Sequence, residues 1–74
     1  KSRKKEIVEA RQVAMYLCRD LLSMSLNNIG LYFGGRDHTT VIHAISRIGE
    51  KQEEDKRLEK MIEGLNQELS FPGI

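Results

Sequence analysis

The stretch Gly34-Gly35-Arg36-Asp37-His38-Thr39-Thr40-Val41-Ile42-His43-Ala44 decides how this chain is read. Glycine reaches left-handed backbone conformations without a Cβ penalty, so the Gly34-Gly35 pair stops whatever helix precedes it. A polar cluster follows at the first positions of an apolar-periodic segment. Helix starts carry backbone N–H groups without intrahelical partners, and a partial positive charge collects there. Asp, His, Thr and Thr at such a start, in place of solubilising Lys and Glu, make an end that can read hydrogen-bonding groups. In a helix-turn-helix, the first residues of the second helix meet base edges. The stretch therefore predicts a DNA-binding module.

Working outward, the chain carries no strand signal, repeat or low-complexity segment. Ile7, Ala10, Ala14, Leu17, Cys18 and Leu21 recur at helical spacing and predict an amphipathic helix over 6–22. Ser25 is an N-cap for a short second helix over 25–33, with Leu26, Ile29 and Phe33 as its apolar contacts. A turn at 34–36 leads to a third helix over 37–53, capped by Asp37 and buried along Val41, Ala44, Ile45 and Ile48. Every residue between Ile48 and Leu58 is polar or glycine, so the buried face runs out there. A fourth helix over 55–69 starts at Asp55 and turns Leu58, Met61, Ile62, Leu65 and Leu69 to the core. Gly64 weakens it by about 1 kcal/mol relative to alanine. Ser70-Phe71-Pro72-Gly73 ends the domain. The expected architecture is a compact all-α domain with a central helix-turn-helix.

Projected at one hundred degrees per residue, the third helix has two faces. Val41, Ala44, Ile45 and Ile48 share one side, and Thr39, Thr40, His43 and Arg47 gather on the other, with Asp37 and His38 at the tip. In a major groove such a tip reads bases, and the outer flank touches phosphate. Threonine methyls can pack against thymine methyls.

Other chemistries fit poorly. His38 and His43 lie about 140° apart around a helix and cannot share an ion, and zinc sites need three or four ligands at fixed spacing. Cys18, the single cysteine, falls on the apolar stripe and reads as a small buried hydrophobe. Met15, Met24 and Met61 read as packing residues. The chain holds no phosphate-binding G-x-x-x-x-G-K-[ST] loop, no nucleophile–base pairing and no carboxylate pair in an apolar setting. The reading is therefore of no metal and no catalytic residue.

Seventy-four residues allow one small domain, which buries only about three-fifths of its unfolded surface. A lone cysteine forms no internal disulfide, which fits a reducing, cytoplasmic setting. No apolar run is long enough to span a bilayer, and no signal-peptide core is present. The chain starts at Lys1 without methionine and is expected to be a piece of a longer protein. Its net charge of +1 conceals an asymmetry. Residues 1–47 carry eight Lys and Arg against four acids, whereas 48–74 carry four against seven. A basic front and an acidic back orient a protein in the field of a polyanion. Taken alone, the segregation favours the blander reading, a solvated surface whose charges happen to segregate. The basic Lys1-Ser2-Arg3-Lys4-Lys5 reads either as an arm entering an adjacent minor groove or as a solvated linker, with nothing to bury in the absence of DNA. On the first helix, Gln12 and Arg19 stand one above the other with Arg11 alongside, as a backbone-contacting rail or an ordinary polar face.

The eleven residues from Gly34 to Ala44 closely resemble the motif of the C-terminal DNA-binding domain of DnaA, the bacterial chromosomal replication initiator. The likeness extends to the basic K-S-R-K-K start, to A-R-Q-V-A-M-Y-L in the first helix and to S-L-N-N-I-G-L-Y-F before the turn. The resemblance implies a Trp-repressor-like helix-turn-helix that binds double-stranded DNA at DnaA boxes in the replication origin, one module per box, as a monomer. It implies base contacts from Arg3 in the minor groove, from Arg11 and Gln12, and from Asp37, His38 and Thr39, with Thr40 on base or phosphate. It implies backbone contacts from Lys4, Lys5, Arg19, Leu26, Asn27, His43 and Arg47, with Arg standing at positions 19 and 47 where lysine is frequent. A guanidinium keeps the charge there. Asn27 departs from the family, where proline often stands; proline suits a first helical position, and Asn27 offers a side-chain donor instead. The resemblance further implies an ATP-using domain upstream as part of the rest of its own chain, no cofactor in this segment, and a bacterial, nucleoid-associated setting in the cytoplasm. Against this stands a reading of another class: a helical protein-interaction module with only non-specific DNA affinity, whose tip residues would be replaceable.

Overall fold

The computed structural model describes residues 3–70, with the backbone alone at Ser70. It contains four helices, α1 (Arg3–Leu22), α2 (Leu26–Tyr32), α3 (His38–Glu54) and α4 (Lys56–Ser70), and no strand among the described residues. Helices α1 and α3 form the centre: they pack on each other and each also touches α2 and α4, while α2 and α4 do not touch among the described residues.

This arrangement divides the interior into two apolar clusters. Val13 and Leu17 of α1, Ile48 of α3, and Leu58 and Ile62 of α4 form one, with Tyr16 and Leu21 against it. Met15, Ile29, Val41 and Ala44 form the other, flanked by Cys18, Met24, Leu26, Phe33 and Ile45. Helix α1 serves both clusters, which corrects the stripe expected from its sequence. Its buried residues are Val13, Met15 and Leu17, whereas Ile7 is 57% exposed and Ala10 lies outside the core. A single-stripe projection assumes one neighbour, and α1 has neighbours on more than one side. On α3 the projected stripe holds: Val41, Ala44 and Ile48 are buried and Ile45 is partly so. On α4 only Leu58 and Ile62 are buried; Met61, Leu65 and Leu69 are exposed. Met61 is thus not a core residue, whereas Met15 is among the most buried side chains.

The caps explain where the helices begin. The Ser25 hydroxyl accepts from the Asn28 N–H at 3.1 Å, and the Asp55 carboxylate accepts from the N–H groups of Arg57 and Leu58. Helix α1 starts at Arg3, three residues before the expected boundary, so Arg3, Lys4 and Lys5 form its first turn and are not a free arm. Arg, Lys and Glu are good helix formers, and Glu6 complements the helix start. Lys1, Ser2 and the Phe71-Pro72-Gly73 stop lie outside the described residues. Between α1 and α2, Ser23 takes a left-handed φ of 53°.

Candidate nucleic-acid interface

The presentation of α3 is set by the turn before it. Gly34 and Gly35 adopt φ values of +90° and +75°, a region that other residues enter only at a cost. The Arg36 N–H then donates to the Gly30 carbonyl at 2.9 Å, tying the turn back onto α2. Gly30 is fully packed beneath it: a Cβ there would overlap the Arg36 carbonyl oxygen. Nothing in the spacing of Gly30 inside a helix marks this close approach.

Asp37 occupies the N-cap position with extended backbone, and its carbonyl accepts from the Val41 N–H. Its side chain makes no capping bond, in contrast to expectation. The carboxylate lies 3.5 Å from Nδ1 of His38 instead, and both side chains are more than half exposed. Thr39 and Thr40 are exposed beside them. Four consecutive hydrogen-bonding side chains therefore stand at the start of a helix whose opposite side is locked in the core.

The structure gathers a second group from two helices. Arg11 and Gln12 of α1 face Thr40, His43 and Arg47 of α3 across a hollow of about 200 Å³, with Met15 and Ala44 beneath. These five residues, nominated from separate parts of the chain, line one depression. The hollow shares Gln12 and Arg47 with a larger groove of about 820 Å³, which Lys4 and Lys5 also border. Arg3 stands exposed at the start of α1, lining neither depression. Leu26 and Asn27 sit on the first turn of α2. Arg19 is otherwise engaged: its guanidinium donates to the Met24 carbonyl at 2.7 Å, bracing the link from α1 to α2.

Two cations were not among the nominated residues. Lys51 donates from Nζ to Glu9 Oε2 at 2.6 Å, and Arg57 stands at the start of α4; both line the larger groove. Lys51 lies one helical turn beyond Arg47 and was legible in that spacing. Arg57 was not, since only the packing of α4 brings it there. Among the described residues, no group of three or more His, Cys, Asp or Glu is placed to hold a metal ion. No described helix is long and apolar enough to cross a membrane.

Comparisons with known proteins bear on what such a surface meets. The family described as bacterial dnaA protein helix-turn-helix matches residues 1–48. The chain is similar to chromosomal replication initiator proteins DnaA from Chlorobaculum tepidum (54% identical over 82% of this chain), Corynebacterium jeikeium (48% over 93%) and Levilactobacillus brevis (54% over 93%). It spans 13%, 12% and 15% of those three proteins, respectively. No solved structure matches the chain. With the glycine turn, the polar α3 start and this similarity in agreement, the chain belongs to the DNA-binding helix-turn-helix family of the bacterial DnaA protein.

Proposed function

We propose that this chain is the address-reading segment of a chromosomal replication initiator, binding double-stranded DNA sequence-specifically at DnaA boxes in the origin. The observation that carries the reading is the exposed Asp37-His38-Thr39-Thr40 start of α3, held by a tied glycine turn beside a hollow lined by Arg11, Gln12, His43 and Arg47. Placed in the major groove, the α3 start offers a carboxylate acceptor, an imidazole and two hydroxyls to base edges. Arg11 and Gln12 read bases from the α1 side, and Arg3 enters the adjacent minor groove, where narrow A·T-rich stretches attract arginine.

Lys4, Lys5, His43 and Arg47 hold the phosphates that border the helix. Leu26 and Asn27 contact phosphate from the start of α2, where backbone N–H groups point outward from the first turn. Arg19 joins them with the donors its bond to Met24 leaves over, since a guanidinium carries five. In this reading the segment acts as a monomer on its box and needs no cofactor. ATP use resides in another part of a longer bacterial, cytoplasmic protein, and this segment is not an enzyme.

A reading of a different class, a protein-interaction module, has one observation in its favour. Ala14, Leu17, Cys18, Leu21, Leu22 and Leu69 line an apolar hollow of about 370 Å³. Binding measurements on His38→Ala and Thr39→Ala separate the two readings. Base reading predicts that each loses about 1–3 kcal/mol of discrimination between a box duplex and a scrambled one. An equal loss on both duplexes contradicts the assignment, and no loss on either favours the interaction module.

A further inference from the structure

The larger groove adjoins the hollow of Arg11 and Gln12 and is rich in cations. Its walls carry five cations, Lys4, Lys5, Arg47, Lys51 and Arg57, against two carboxylates, Glu6 and Glu9. Lys51 and Arg57 come from the half of the chain whose overall charge is negative, so their position in this groove runs against the local composition. Resting on the DNA-binding reading above, we propose that Lys51 and Arg57 are further phosphate contacts. They carry one DNA strand past the recognition helix onto the start of α4.

Three observations support this track. The first is continuity, because Gln12 and Arg47 border both depressions and a strand contacted at Arg47 enters the larger groove directly. The second is reach. Lys51 follows His38 by thirteen positions, about 20 Å along the axis at 1.5 Å per residue. The major groove is only about 12 Å wide and 8.5 Å deep, so a helix whose tip meets bases has left the groove floor by that point and stands at the backbone.

The third observation is the state of the two side chains. Lys51 is held against Glu9 and is 39% exposed, and an ammonium has three donors, so one bond to Glu9 leaves others for a phosphate oxygen. Arg57 is 74% exposed and reaches no nearer than 4.0 Å to Asp55, whose Oδ1 is occupied in capping α4. Both are cations available to an anion without breaking the fold.

Neutralising phosphates releases counterions, so the affinity falls with salt at a slope set by the number of contacts, about 0.9 per phosphate on duplex DNA. The test is a salt series on box and scrambled duplexes for the wild-type chain, Lys51→Gln, Arg57→Gln, the double variant and Arg47→Gln. The proposal predicts that each single variant lowers the log–log slope by roughly one and the double variant by roughly two, with the preference for the box unchanged. Wild-type slopes for Lys51→Gln and Arg57→Gln, alongside a reduced slope for Arg47→Gln, overturn it. Equal wild-type binding to both duplexes defeats the box reading instead, and the slopes on either duplex still decide Lys51 and Arg57. Absence of binding to both overturns both proposals.

Discussion

Arg36 and Gly30 are joined by a backbone hydrogen bond of 2.9 Å, and the Arg36 carbonyl stands where any side chain on Gly30 would begin. This contact couples the second helix to the start of the third. It converts a flexible two-glycine turn into a fixed angle between them.

Gly30→Ala is therefore expected to destabilise the fold by about 1–3 kcal/mol, the range for forcing atoms into a packed site, because the obstructing atom is backbone. Gly64→Ala provides the contrast. Nothing lies within 4 Å of a Cβ there, so the substitution gains about 1 kcal/mol of helix propensity. Chemical denaturation of the two variants checks both signs. The Gly30 variant should also bind box DNA more weakly, since the α3 start moves with the turn.

Ile48 is fully buried at the contact of α1, α3 and α4. Ile48→Ala should cost about 2–5 kcal/mol, enough to unfold much of so small a domain. Leu69→Ala should cost far less, because Leu69 is 62% exposed. Thermal unfolding followed by helical circular dichroism distinguishes them. Similar losses would contradict the division of the core.

The link from α1 to α2 holds Ser23 at a positive φ, a conformation costing an L-residue roughly 1–2 kcal/mol that glycine does not incur. Part of that gain is offset by glycine's greater freedom in the unfolded chain. Ser23→Gly is expected to stabilise the domain by up to about 1 kcal/mol, read as a raised denaturation midpoint with unchanged slope.

Glu9→Gln removes a carboxylate from the wall of the basic groove. The ion pair with Lys51 is partly exposed, so its loss should cost less than about 1 kcal/mol of stability. Binding should tighten equally on specific and scrambled duplexes, because the change acts on phosphate attraction and not on base reading. Titrations of both duplexes at one salt concentration check this.

The division between what the sequence disclosed and what it withheld follows from locality. The Gly34-Gly35 turn, the Ser25 and Asp55 caps and the Val41, Ala44 and Ile48 stripe all rest on residues within a few positions of one another, and all are present. The failures concern neighbours distant in the chain. Met15 and Val13 are buried because three helices cover α1 (α3 and α4 over Val13, α2 and α3 over Met15), which a one-sided projection of Ile7 and Ala10 does not anticipate. Likewise Asp37 looks like a capping side chain from its position, yet its carboxylate turns to His38. The hollow formed by Arg11, Gln12, Thr40, His43 and Arg47 is tertiary. Its residues were nominated by family resemblance and by the α3 projection, and their convergence came only with the packing of α1 on α3.

The measurement that tests the central claim most directly is a fluorescence-anisotropy titration of this chain. It would compare a duplex carrying a DnaA box with a scrambled duplex of equal length at fixed physiological salt. Base reading by the α3 start predicts tight binding to the box and a loss of at least about a thousandfold on scrambling. Equal, weak binding to both would contradict it and leave only a basic helical surface.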